Sequence, residues 1–255
     1  MDFTNLFNKY LSNNPRATFL IVLAVVVWML TPTQAVWAGC GDTNPRTVLC
    51  VDADASGAAT GLSWTDAFTN VQDALDTANA NGTTDYEIWV AEGVYYPDEG
   101  TNAVADSRTM SFTLRYNNVQ LYGGFAGTEA LCPQRDWETN VTVLSGDIDH
   151  DAGGADTTNS HGVVITTTDI VGNNAYHVLW MDGVMNEPIT ETTVIDGFTI
   201  TAGQANSSSA PHIFGGGAYC DGNGSGHGCN ATLVNVMFSG NQANYGGGMY
   251  NNDSS

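Results

Sequence analysis

The sequence predicts an all-β protein built as a parallel β-helix, a solenoid carrying one capping helix at its N-terminal end. Three observations predict it. From Tyr86 onward the chain consists of short β-type runs separated by Gly, Asn and Asp, with no second helical pattern to alternate with them. The stretch Gly197 to Asn206 aligns with Asn235 to Asn244, and each copy is followed by a triple glycine, Gly215-Gly216-Gly217 and Gly246-Gly247-Gly248. A period of a few tens of residues made of strands and turns marks a solenoid. Ahead of these runs lies a single amphipathic helix, and stacked repeats need such a cap over their open end.

Residues 1–38 read as a signal peptide. A polar start with Lys9 and Arg16 leads into an apolar run over residues 17–30, and Ala35-Val36-Trp37-Ala38 follows the helix-breaking Pro32. This is a positive n-region, an apolar h-region and a small-residue site, with cleavage expected after Ala38. The apolar run falls short of the ~20 residues that a spanning helix needs, which makes an uncleaved anchor the weaker reading. Ala38-Gly39-Cys40 also resembles the end of a lipobox, which would put a lipid on Cys40, but Trp37 stands where that pattern has Leu or another aliphatic residue.

The chain has 6 Lys+Arg against 27 Asp+Glu, a formal charge of −21. Losing the leader removes Lys9, Arg16 and Asp2, which leaves a charge of −22 and four basic residues, Arg46, Arg108, Arg115 and Arg135. Such a surface repels nucleic acid, anionic lipid and acidic polysaccharide, and no nucleic-acid partner is expected. Most of this charge serves solubility. Five cysteines fit an oxidising compartment. Cys220 and Cys229 flank a Gly-rich loop and are expected to pair. Cys40 and Cys50 would pair likewise and leave Cys132 free; with Cys40 lipidated, Cys50 and Cys132 become partners. Zinc on Cys220, His227 and Cys229 is the weaker alternative, since no fourth ligand is evident.

Residues 39–62 form an N-terminal segment and residues 63–82 the capping helix. Ser63-Trp64-Thr65-Asp66 has the pattern of a capping box. Phe68, Val71, Ala74, Leu75 and Ala78 follow at helical spacing, and Asn81-Gly82 ends the pattern. Residues 83–255 are assigned to the β-helix. Equivalent strands in successive coils lie ~4.8 Å apart, so equivalent Phe, Ile and Val side chains stack inside. Equivalent asparagines such as Asn206 and Asn244 are expected to form ladders at the turns. The chain stops at Ser255 just after a repeat, so the sequence reads as the N-terminal part of a longer protein.

The second copy, Phe238-Ser239-Gly240-Asn241 followed by Gly246-Gly247-Gly248-Met249, resembles the chlamydial polymorphic outer membrane protein repeat, which pairs FxxN with GGA[ILV]. Here the glycine half reads GGM. The first copy keeps GGGAY but has Ile200-Thr201-Ala202-Gly203 in place of FxxN. Upstream, Val51-Asp52-Ala53-Asp54, Ser63-Trp64-Thr65-Asp66-Ala67-Phe68, Ile88-Trp89-Val90-Ala91-Glu92-Gly93-Val94-Tyr95, Leu121-Tyr122-Gly123-Gly124-Phe125 and Arg135-Asp136-Trp137 resemble the N-terminal regions of bacterial proteins of the pectin lyase-like superfamily. The resemblance covers about residues 48–255 and implies a right-handed parallel β-helix. That superfamily holds lyases, hydrolases, adhesins and autotransporter passengers, so the fold alone does not choose an activity. The expected function is a secreted, cell-surface or outer-membrane adhesin or passenger-like module, with a polysaccharide or a component of a host or neighbouring cell surface as its partner. The alternative is a polysaccharide lyase or glycoside hydrolase.

No catalytic residue stands out. A polyuronate lyase needs a basic groove and an Arg or Lys base, against a charge of −22 with four arginines. Arg135 is expected in an ion pair with Asp136 or Glu138. Gly226-His227-Gly228 faintly resembles an element of the polygalacturonases, but the paired aspartates that accompany it are missing, and it reads as loop. Asp147, Asp149 and Asp151 alternate in a Gly-rich loop. Oxygen ligands at that spacing suit calcium, the one cofactor suggested, while a solvated acidic turn explains the same pattern. Trp89, Tyr95, Tyr96, Tyr122, Phe125 and Trp137 could stack on sugars, although such residues more often fill a core.

Overall fold

The structure is a computed structural model. It describes residue 40 and residues 46–80, 82–151, 153–222 and 228–253, all within the unit spanning residues 37–255. The expected leader and His227 lie outside the described residues. Among the described residues no helix is long and apolar enough to cross a membrane.

Strands pair in parallel throughout the three main sheets. The first sheet contains β1 (Thr47–Val51), β2 (Tyr86–Ala91), β5 (Val119–Phe125), β8 (Val194–Asp196) and β12 (Thr232–Val234), in that order. The second contains β3 (Gly93–Tyr95), β6 (Thr142–Ser145), β9 (Phe198–Thr201) and β13 (Met237–Ser239). The third contains β4 (Phe112–Leu114), β7 (Leu179–Asp182), β11 (Ala218–Gly222) and β15 (Met249–Asp253). A small sheet pairs β10 (Gln204–Ala205) with β14 (Gln242–Ala243). From β2 onward the chain visits first, second and third sheet in unchanging order: β2, β3, β4; β5, β6, β7; β8, β9, β11; and β12, β13, β15.

Register aligns like with like. Leu49, Ile88, Leu121, Ile195 and Leu233 form one row across the first sheet. Tyr95, Leu144, Ile200 and Phe238 form a row in the second, and Phe112, Leu179, Ala218 and Met249 one in the third. All three rows belong to one contiguous apolar cluster. Side chains alternate along each strand, so the residues between these face the other way. On the first sheet that opposite face carries Cys50, Trp89 and Tyr122, which pack with Phe125 and Cys132 in a second apolar cluster.

The helix is shorter than the sequence pattern suggests. Helix α1 spans Val71–Asn79, with Asn70 as its N-cap accepting from the Asp73 N–H. Val71, Ala74, Leu75 and Ala78 are buried as their spacing requires, and the helix packs against β1, β2 and β4. Only one half of the Ser63–Asp66 capping box forms, the Asp66 N–H donating to Ser63 Oγ, while the Ser63 hydroxyl donates to Asp66 Oδ2 in a side-chain contact. It closes a turn rather than a helix, because the Asp66 carbonyl already accepts from the Thr60 and Gly61 N–H groups. Phe68 then extends beside β1, with its N–H on the Cys50 carbonyl and its carbonyl on the Asp52 N–H.

Candidate functional site

A groove of about 330 Å³ runs over the outer side of the second sheet. It is lined by Thr199 and Met237 of that sheet and by Trp137, Glu138, Asn159, His161, Val163 and Asn235 around them. Trp137 keeps 38 % of its surface exposed and Met237 52 %.

Trp137 stands on a turn pinned at both ends. The Asp136 N–H donates to the Gly124 carbonyl at 2.8 Å, and the Asn140 N–H returns to the Asp136 carbonyl at 2.8 Å. The Asp136 carboxylate accepts from the Thr139 hydroxyl and from the Thr139 and Glu138 N–H groups. The Thr139 hydroxyl first, then these backbone donors, hold that carboxyl below its usual range. Two glycines give the turn its seat. A Cβ on Gly124, whose φ is +90°, would fall 2.6 Å from Trp137 Cα, and one on Gly197, whose φ is +83°, would meet Arg135 Nη1 at 2.8 Å.

Arg135 does not pair with Asp136 or Glu138 as its neighbours in sequence suggest. Its guanidinium forms an ion pair with Asp196 and donates to the Gly123 carbonyl at 2.9 Å. It also sits 5.2 Å from the Tyr122 ring centroid. Asn235 Nδ2 donates to the other Asp196 oxygen at 2.9 Å. Asp136 is turned to cap its own turn, which leaves Arg135 to reach the Asp196 carboxylate on β8, the strand paired with β5. The Asn159–Val163 part of the lining is also tied down, since Asn159 Oδ1 accepts from the His161 and Val163 N–H groups at 2.8 and 3.1 Å.

An exposed indole beside a polar rim offers an apolar face and hydrogen-bonding groups at once, the combination that a pyranose ring presents in reverse. Among the described residues lining the groove, Glu138 is the one carboxylate. Hydrolysis of a glycosidic bond uses two.

The other aromatics considered for sugar stacking divide. Trp89, Tyr95 and Phe125 are buried and Tyr122 is 4 % exposed, so these belong to the core. Tyr96 stacks on His150 with ring centroids 3.6 Å apart. The outer face of the third sheet holds an aromatic group that the sequence reading missed. Trp180, Tyr219 and Tyr250 lie in one register row, with Phe214 4.4 Å from Tyr250 and His177 5.2 Å from Tyr219. The tyrosines that follow both triple glycines were its legible signal. Tyr219 is 3 % exposed, while Trp180, Phe214 and Tyr250 around it are half-buried. His177 Nδ1–H donates to the Gly215 carbonyl and Nε2 faces His212 Nδ1 at 3.1 Å. Burial first, then the neighbouring His212, push its pKa down to about 4.

Cys220 and Cys229 are disulfide-bonded. The expected Cys40–Cys50 pair is not formed: Cys40 joins Cys132, and Cys50 is a buried free thiol. Strand β1 turns Cys50 into the row with Trp89 and Tyr122, while the short turn Cys132–Gln134 brings Cys132 to Cys40. A disulfide at Cys40 also removes the thiol that lipidation would use, and with it the proposed Cys50–Cys132 pair.

Asp147, Asp149 and Asp151 do not converge. Asp147 is 4 % exposed, and Asp151 faces solvent. Burial first, then the Asp156 and Asp149 charges, push the Asp147 carboxyl up to about 6. Among the described residues no three His, Cys, Asp or Glu side chains are grouped to hold a metal. The expected Asn206–Asn244 ladder is replaced by a Gln204–Gln242 contact at 3.2 Å, because Asn206 accepts from Arg108 instead. Comparison with family models, with characterised proteins and with solved structures returns no match to this chain.

Proposed function

We propose that the chain is an exported, cell-surface parallel β-helix that binds neutral polysaccharide without cleaving it, in the groove beside Trp137. The observation that carries this reading is the exposed Trp137 side chain lining an open groove, on a turn whose backbone is seated against Gly124 and Gly197. The helical coil is supported by the unchanging order in which the chain visits three parallel sheets and by the single apolar cluster their inward rows share. A right-handed coil follows from the crossover rule for parallel strands and from the superfamily resemblance. Export is supported by the leader pattern and the two disulfides. The charge of −21 disfavours acidic polymers, which leaves neutral glycans as the ligand class.

Affinity electrophoresis against a panel of soluble neutral and acidic polysaccharides tests the proposal. At least one neutral polymer retards the protein, Trp137→Ala removes the retardation, and no reducing ends accumulate. Retardation unchanged by Trp137→Ala contradicts the assignment of the groove. Release of reducing ends or unsaturated products favours the carbohydrate-active enzyme instead.

A further inference from the structure

Away from the groove, the segment between β6 and β7 gathers more buried oxygen than its donors satisfy. Asp147 and Asn174 are antiparallel bridge partners, which sets their Cβ atoms ~5 Å apart on one side of the pair. Both engage Asp156: its N–H donates to Asp147 Oδ2 at 2.9 Å, and Asn174 Nδ2 donates to its Oδ2 at 2.7 Å. Asp149 accepts from the N–H of Asn173, the residue before Asn174, at 2.9 Å, and its charge is felt at both Asp147 and Asp156. Its carboxylate occupies the space that side chains on Gly154 and Gly172 would fill. Asn174 is fully buried and Asp147 nearly so. Three oxygens here have no hydrogen-bond donor among the described residues: Asp147 Oδ1, Asp149 Oδ1 and Asn174 Oδ1.

A buried acceptor without a donor is a cost that native structures avoid, and the cost is greatest for carboxylates. None of the ion pairs among the described residues engages Asp147, Asp149 or Asp156. A hard divalent cation supplies what is missing, because it takes carboxylate and amide oxygens together and lets water fill the rest of its shell. We infer that Asp147, Asp149 and Asn174 bind calcium through these oxygens. The alternating aspartates of the sequence are thus part of the site, but the third protein ligand comes from Asn174, not from the exposed Asp151.

Terbium luminescence in the full chain, stripped of metal with chelator, tests this. Tyr96 is the antenna: it stacks on His150, whose Nδ1–H donates to the Asp147 carbonyl at 2.9 Å. The inference predicts saturable tyrosine-sensitised emission that calcium displaces and magnesium does not. Asp149→Asn weakens terbium binding at least ten-fold, and Asp151→Asn leaves it within two-fold. Emission that never saturates, or an Asp149→Asn protein that binds as tightly as the parent, overturns the site. Should Asp149→Asn fail to fold, the unaltered chain gives the answer: millimolar calcium raises its Tm and chelator reverses the rise. A Tm indifferent to both overturns the inference.

Discussion

Arg135→Met keeps most of the side chain's length and removes its charge. The Arg135 and Asp196 side chains are 13 % and 11 % exposed. The substitution breaks the ion pair and the bond to the Gly123 carbonyl, and leaves the Asp196 carboxylate with Asn235 as its remaining side-chain donor. Removing one partner of a buried pair costs about 3–5 kcal/mol. The residual exposure and the retained Asn235 bond place this case near the lower end, about 3 kcal/mol. With a urea m-value of about 2–3 kcal/mol/M, the unfolding midpoint falls by roughly 1 M at unchanged m. Adding Asp196→Asn removes the stranded charge and restores much of the loss, which a double-mutant cycle measures as coupling. A midpoint shift under about 0.2 M, or a larger effect from Asp136→Asn or Glu138→Gln than from Arg135→Met, would refute the assignment of Asp196 as the partner.

Other consequences are as open to measurement. Gly124→Ala forces a left-handed φ on a residue with a Cβ and drives that atom into the Trp137 backbone; the backbone term alone costs about 1–2 kcal/mol. Chemical denaturation should register at least that loss, with weakened polysaccharide binding, and a neutral effect would mean that the Trp137 turn is not seated there. Peptide mapping without reduction is expected to find Cys40 linked to Cys132 and Cys220 to Cys229. Cys50, pushed up to about 12 by burial first and Asp52 second, should resist alkylation until the protein unfolds. A Cys40–Cys50 peptide would contradict the fold of the N-terminal segment. Burial pushes the His177 imidazole down to about 4 from the usual histidine value of 6.5, so the unfolded chain binds a proton that the fold refuses. Its contribution to stability is full above 6.5 and drains away as pH falls toward 4, by up to about 3 kcal/mol. NMR of the imidazole should show it neutral through that window, and a native-state midpoint near 6.5 would refute this.

The repeat was the most legible feature of the sequence because equivalent residues of its two copies pair directly in parallel strands. The alignment of Gly197–Asn206 with Asn235–Asn244 reappears as the pairing of Ile200 with Phe238 and Gln204 with Gln242, and that of the triple glycines as Ala218 beside Met249. The apolar face of α1 was legible for the same reason, since Val71, Ala74, Leu75 and Ala78 need only helical spacing to line up. Its start was not. The Asp66 N–H bonds to Ser63 Oγ in a turn as it would in a helix, but the Asp66 carbonyl, which a helix would use, accepts from the Thr60 and Gly61 N–H groups instead. Long-range partners left no mark in spacing either. Arg135 has carboxylates one and three residues away, yet its mate is Asp196, because the parallel pairing of β5 with β8 sets Asp196 beside Tyr122. Likewise Cys40 joins Cys132, not Cys50. Asn241 shows how a motif can be right while its use is missed. Its side chain accepts from the Gly203 N–H and donates to the Ile200 carbonyl at the end of β9, tying the two repeat copies together where an Asn206–Asn244 ladder was expected.

The groove is the centre of the account, and a structure of the protein with an oligosaccharide of whichever neutral polymer retards it tests that centre most directly. The account predicts a pyranose ring stacked on the Trp137 indole, with its hydroxyls in reach of the Glu138, Asn159 and Asn235 side chains and its glycosidic bonds intact. An oligosaccharide seated elsewhere on the surface, with Trp137 bare, would contradict it.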